Sequence, residues 1–245
     1  MKRIKRLKRW QQGILSVIGL ATLGCGSYAA LFIYSQFQSN SVPYIRRWFN
    51  EPAARAELTT LQREPCPGAP FLLPSVGLIG LLWNDPAGPY NVLNRHSGID
   101  IFGDGEPGAI PVYAAYEGYL TRLDNWVSSV IIQHEDPLQE GRTIWTYYTH
   151  MASADGDSYI VEDFPQGTAG VWVEQGTLLG YQGEYNGSSL RPIGMHLHFS
   201  IVKSDPDGSF KNERRASNTL NPSPYLGMPV AIEEMPIRPI QCQRQ

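Results

Sequence analysis

The stretch Met195-His196-Leu197-His198-Phe199-Ser200-Ile201-Val202 alternates polar and apolar side chains almost without a break. Successive side chains of a β-strand point to opposite faces, so this run reads as a strand that buries Leu197, Phe199 and Ile201. Its two histidines then share the other face, where they would line a groove.

Outward from this strand the same short runs recur, at residues 99–102, 111–115, 118–123, 127–133, 144–149, 170–173 and 178–182. The 24 glycines and 19 prolines favour many turns over long helices. Closely spaced short strands of this kind predict a mainly β domain built on an antiparallel sheet. Residues 155–168 and 183–193 read as surface loops, the second ending just before His196. Beyond Asp205 the chain is polar and proline-rich, and no element is predicted there.

Charge is distributed unevenly. Six of the first nine residues are Lys or Arg, and the first acid is Glu51. Residues 13–34 then run for 22 positions without a charge. At about 1.5 Å per residue a helix of that length spans roughly 33 Å, enough to cross a bilayer core. Residues 1–12 are read as a basic cytoplasmic tip and 13–34 as an uncleaved transmembrane anchor. A lipoprotein site at Cys25 and a cleaved signal peptide are the competing readings. All three place the rest of the chain outside the cytoplasm, in the periplasm or cell wall. That remainder carries 14 basic and 23 acidic residues, a balance that argues against a nucleic-acid partner. Residues 35–69 are read as a stalk with a short helix at 51–63, 70–225 as the β domain, and 226–245 as a tail. Cys66 and Cys242 flank that domain, and an oxidising compartment permits a disulfide between them.

Four of the five histidines fall in three short clusters: His96-Ser97-Gly98-Ile99-Asp100, Tyr148-Thr149-His150 and His196-Leu197-His198. Two histidines and a carboxylate can hold one Zn²⁺ and leave a coordination position open. Two further histidines would remain to move protons or stabilise developing charge. In an extended segment His96 and Asp100 point the same way, so both can face one ion. Spacing alone does not decide which member of the His196/His198 pair would bind it. His134, at the end of Val130-Ile131-Ile132-Gln133, reads as structural or as a support to the site.

Taken in order, these segments resemble the lysostaphin-type, LytM-like zinc endopeptidases of bacterial cell walls. The resemblance runs over roughly residues 90–202. It rests on Asn94-Arg95-His96-Ser97-Gly98-Ile99-Asp100-Ile101, Ile110-Pro111-Val112-Tyr113-Ala114-Ala115, Thr146-Tyr147-Tyr148-Thr149-His150-Met151, Val173-Glu174-Gln175-Gly176-Thr177-Leu178-Leu179-Gly180 and His196-Leu197-His198-Phe199. It implies a barrel-sandwich-hybrid, lysostaphin-like domain that hydrolyses peptide cross-links or stem peptides of peptidoglycan. By the same resemblance His96, Asp100 and His198 are the ligands of a single Zn²⁺, and His150 and His196 are the catalytic proton handlers. Two departures bear on substrate preference: Gly187-Ser188-Ser189-Leu190-Arg191-Pro192-Ile193-Gly194-Met195 replaces the usual glycine-rich stretch, and the loop 152–170 is long. The alternative function is a non-catalytic envelope scaffold that binds or activates other wall hydrolases. A lipoyl-like hairpin domain is excluded by the lack of a Met-Lys or Ala-Lys turn.

Overall fold

The computed structural model describes residues 37–190 and 192–243, together with Ser27, Ala29, Ala30, Ile33 and Tyr34. Most of the segment read as an anchor therefore lies outside the described residues. Among the described residues no helix is long and apolar enough to cross a membrane.

The strands are β1 (Leu78–Ile79), β2 (Ile99–Phe102), β3 (Pro111–Tyr113), β4 (Gly118–Thr121), β5 (Val130–Glu135), β6 (Thr143–Thr149), β7 (Val171–Val173), β8 (Leu178–Tyr181), β9 (Leu197–Lys203) and β10 (Thr219–Leu220). One antiparallel sheet runs β1-β2-β9-β6-β5-β4-β7, with β10 also paired to β9, and β3 and β8 form a separate ribbon. The predicted runs all appear, trimmed or shifted by a few residues; β1 and β10, two residues each, were too short to show a period. The opening stretch of sequence becomes β9, near the middle of the main sheet. β2 holds its first half through Ile99↔Phe199 and Ile101↔Leu197, and β10 holds part of its second half.

Alternation sorts the two faces of this sheet. Leu197, Phe199 and Ile201 of β9 join Ile99, Ile101, Val130, Ile132 and Tyr148 in the main core, closed by Phe71, Tyr225 and Met228. Burial of each large side chain here contributes roughly 1.5–3 kcal/mol. On the other face Ile131, Trp145 and Val202 form a smaller cluster under Trp126 and Phe210. His198 and Ser200 lie in the same alternating row as Val202, so the candidate site grows from the face opposite the main core.

The N-terminal segment departs from the expected stalk. α1 (Ser41–Asn50) is an amphipathic helix that buries Trp48. A 3₁₀ turn at Pro52–Ala54 leads into α2 (Arg55–Leu58). Trp48, Ala54 and Leu58 pack on Leu78 and Phe102. The helix predicted to Arg63 stops at Leu58 because the β-branched Thr60 is drawn into a bridge with Gly77, and its hydroxyl meets Ile240. Residues expected to be a tail likewise enter the core: Val230, Ile232 and Ile240 are all buried. Prolines conceal this segment's role by removing any period, while burial fixes it in place.

Cys66 and Cys242 form a disulfide across a sequence separation of 176. Cross-linking so long a loop restricts the unfolded chain, and its loss typically costs about 2–5 kcal/mol. The Cys66→Ala/Cys242→Ala variant should therefore unfold at clearly lower urea concentration. An unchanged midpoint would show that the bridge adds nothing to stability.

His134 sits in this core rather than at the site. Its Nδ1–H donates to Glu117 O at 2.6 Å and its Nε2 accepts from Thr146 Oγ1 at 2.7 Å. Burial lowers its pKa to about 4. The unfolded chain takes up a proton near pH 6.5 and the folded chain only near 4, so stability held above pH 6.5 is lost as pH falls through that window. The loss is about 3 kcal/mol. His134→Asn should accordingly be less stable than wild type at pH 7, with the gap closing towards pH 4; a gap independent of pH would refute the assignment.

Candidate metal centre

Three strands converge on His198. In the β2–β9 register Asp100 is directly opposite His198, and in the β6–β9 register Thr149 is opposite it from the other side. Directly opposed residues share a face, so Asp100 and His198 meet without any special loop. His150 follows Thr149 at the end of β6, where its φ of +75° turns the chain out of the strand. His96 comes from the segment before β2. Gly98 lets that segment approach, since a Cβ there would lie 2.1 Å from Phe199 O.

The acceptor atoms are tightly grouped. Asp100 Oδ1 lies 2.9 Å from His198 Nδ1 and 3.1 Å from His96 Nε2, and the two ring nitrogens are 3.0 Å apart. Each histidine spends its other nitrogen elsewhere. His96 Nδ1–H donates to Leu82 O at 2.9 Å, and His198 Nε2–H donates to Glu213 Oε1 at 2.8 Å. Those bonds orient the two rings and turn the other nitrogen of each towards Asp100. Asp100 Oδ1 and the two ring nitrogens thus converge on one spot, where shared protons or a bound cation can hold them together. The donor set and its closeness fit a four-coordinate Zn²⁺ with three protein ligands. Burial opposes charge on the His198 ring, but its bonds to Asp100 and Glu213 prevail and hold its pKa up at about 10, so Nδ1 keeps a proton towards Asp100 that a bound cation would displace. Burial likewise disfavours the Asp100 carboxylate, yet His96, His196 and His198 hold its pKa well below the usual range.

The two remaining histidines stand beside this group. His150 and His196 have ring centroids 4.6 Å apart, and His196 Nε2 is 3.7 Å from Asp100 Oδ1. His150 Nδ1–H donates to Tyr185 O at 2.7 Å and His196 Nδ1–H to Gly194 O at 2.6 Å. Each therefore keeps a bare Nε2. Burial, followed by the neighbouring His196 and His198, lowers the His150 pKa to about 3; burial also lowers that of His196. Both rings are thus neutral and able to accept a proton.

All five residues singled out in the sequence come together. Glu213 was missed. It accepts from both His198 and Ser97 Oγ, the latter at 2.7 Å, and these contacts hold its pKa down at about 2 against burial. No sequence period marks it, because it lies in an irregular loop. A cleft of about 580 Å³ adjoins the group, lined by Tyr90, Trp126, Tyr147, Tyr185 and Arg214 together with His150 and His198.

The arrangement is a buried three-acceptor centre with two neutral bases, on the face of the antiparallel sheet opposite the main core. Residues 94–212 match the description of peptidase family M23. No curated protein matches the chain. Among solved structures, the antimicrobial peptidase lysostaphin from Staphylococcus simulans is 24% identical, with a TM-score of 0.36 over 60% of this chain and 48% of that one. A putative glycyl-glycine endopeptidase LytM from Ruminococcus gnavus is also 24% identical, with a TM-score of 0.35 over 53% and 45%. The SpoIIQ–SpoIIIAH pore-forming complex gives 26% and 0.31 over 47% and 61%. The chain spans about half the length of the first two.

Proposed function

We propose that the chain is a zinc-dependent endopeptidase that hydrolyses cross-links or stem peptides of bacterial peptidoglycan. The observation that carries this reading is the convergence of His96 Nε2, Asp100 Oδ1 and His198 Nδ1 within 4.8 Å of one another, with two neutral imidazoles beside them. The family assignment supports a peptidase, and the resemblance of the five residues supports wall peptide as its substrate.

His96, Asp100 and His198 would hold the ion, with Leu82 O and Glu213 orienting the two rings. Zn²⁺ there supplies Lewis-acid polarisation of a scissile carbonyl and acidifies attacking water. His150 and His196 present bare Nε2 atoms to the same space. One accepts the proton of the attacking water, and the protonated ring can then pass it to the leaving amine. The other, its Nδ1–H likewise held by a backbone carbonyl, offers a second bare Nε2 that would accept a hydrogen bond from the attacking water and orient it.

Incubating the purified chain with peptidoglycan, with and without a chelator, tests this directly. Mass analysis should find fragments with new amino and carboxyl termini, and the chelator should abolish them. Intact peptidoglycan would instead favour the scaffold reading.

We further propose that residues 13–34 anchor the chain with its N-terminus cytoplasmic and the peptidase domain outside. The Cys66–Cys242 bridge supports an oxidising location. Protease added to intact spheroplasts should digest the domain; protection would overturn this placement.

A further inference from the structure

α1 reaches His196 by two separate routes, and both pass through one ring. Phe49 meets Phe102 edge to face, with centroids 5.6 Å apart and planes at 85°. Phe102 in turn stacks on His196 at 4.9 Å and 30°. By the second route Phe49 covers Gly194, where an added Cβ would lie 2.7 Å from Phe49 Cζ. Gly194 O is the atom that accepts the His196 Nδ1–H. Phe49 therefore supports Phe102, the ring stacked on the imidazole, and also packs on the glycine whose carbonyl sets the tautomer. Phe49 remains 47% exposed, so burial of its own surface is a weak reason for it to sit there.

The helix that carries Phe49 is held firmly. Ser41 Oγ donates to buried Asp85 at 2.5 Å, and Arg238 donates to Ser41 Oγ, Asn40 Oδ1, Ile79 O and Gly80 O. At the other end Trp48 is buried and its carbonyl accepts from Arg55 Nε at 3.0 Å. Phe49 is thus delivered to a set place. Packing of this kind matters because an imidazole must hold its angle to the reacting atoms, and displacement by about 1 Å can cost on the order of a hundredfold in rate.

We propose that Phe49 is a positioning residue for His196, so that α1 forms part of the active centre's support. The catalytic consequence rests on the hydrolase reading above, whereas the geometric one does not.

The test uses the full-length chain loaded with zinc and two readouts: peptide hydrolysis, and NMR of the histidine ring signals. Phe49→Ala should lower kcat on the order of tenfold with KM changed less than about twofold. Zinc content should stay at about one per chain, and His196 ring signals should shift while those of His134 stay in place. Phe49→Leu, which keeps an apolar side chain against both contacts, should restore most of kcat. Gly194→Ala should move the same signals, since its methyl group drives into the Phe49 ring. Unmoved His196 signals in Phe49→Ala overturn the proposal, whatever happens to kcat. So does a loss of kcat that accompanies loss of zinc. If wild type cleaves nothing while Phe49→Ala still shifts His196, the hydrolase reading fails and the positioning relation stands.

Discussion

His198→Ala should leave the chain without stoichiometric zinc and without hydrolysis. The ring is the centre of the group: it faces Asp100 on one nitrogen and Glu213 on the other, at 2.9 and 2.8 Å. Removing it takes away a ligand and also leaves buried Asp100 and half-buried Glu213 without their shared partner. Breaking a buried charged pair in this way costs about 3–5 kcal/mol, so the variant should also melt earlier. Two milder changes separate these effects. Asp100→Asn keeps the shape of the ligand and removes its charge, and should still lose most of the zinc. Glu213→Gln keeps a hydrogen bond to His198 but makes it neutral, and should weaken metal affinity or activity by about 10–100-fold. Metal analysis after dialysis distinguishes them. Full zinc content in His198→Ala would remove this residue from the ligand set.

His150→Ala should keep zinc and lose turnover by about 10²–10⁴-fold, the usual contribution of a positioned acid or base. The ring makes no bond to the three converging acceptors; its Nδ1–H goes to Tyr185 O. Its backbone is strained, with φ at +75° in a residue other than glycine. Such a conformation costs about 1–3 kcal/mol and persists where the surroundings impose it. His150→Gly relieves that strain and should fold well, yet be as inactive as the alanine variant. Normal hydrolysis by either would refute a catalytic role for His150.

Much of the site was legible because it is built on strands. Alternation placed His196 and His198 on one face; His96 meets Asp100 from outside β2, past a bend at Gly98 that no period predicts. The register that joins β2, β9 and β6 could not be read from one chain, yet it alone sets Asp100 and Thr149 opposite His198. Glu213 escaped notice for a related reason, since loops carry no period. α1 was missed because Pro43 and two arginines obscure a helix whose apolar contact is concentrated at Tyr44, Ile45 and Trp48. The prolines of the closing residues read as loop in the sequence, whereas Ile240 and Cys242 join the core through long-range contacts.

The pairing of Asp100 with His198 has a consequence for how the chain can vary and still work. A slip of β2 against β9 by a single residue would set Asp100 opposite Phe199 or Leu197 and turn the acid towards the apolar interior. It would also expel Ile99 and Ile101 from the core. Chemistry and folding are thus checked by the same alignment, and no mispaired sheet can retain one while losing the other. An insertion or deletion of one residue within either strand should be as damaging to solubility as to metal content.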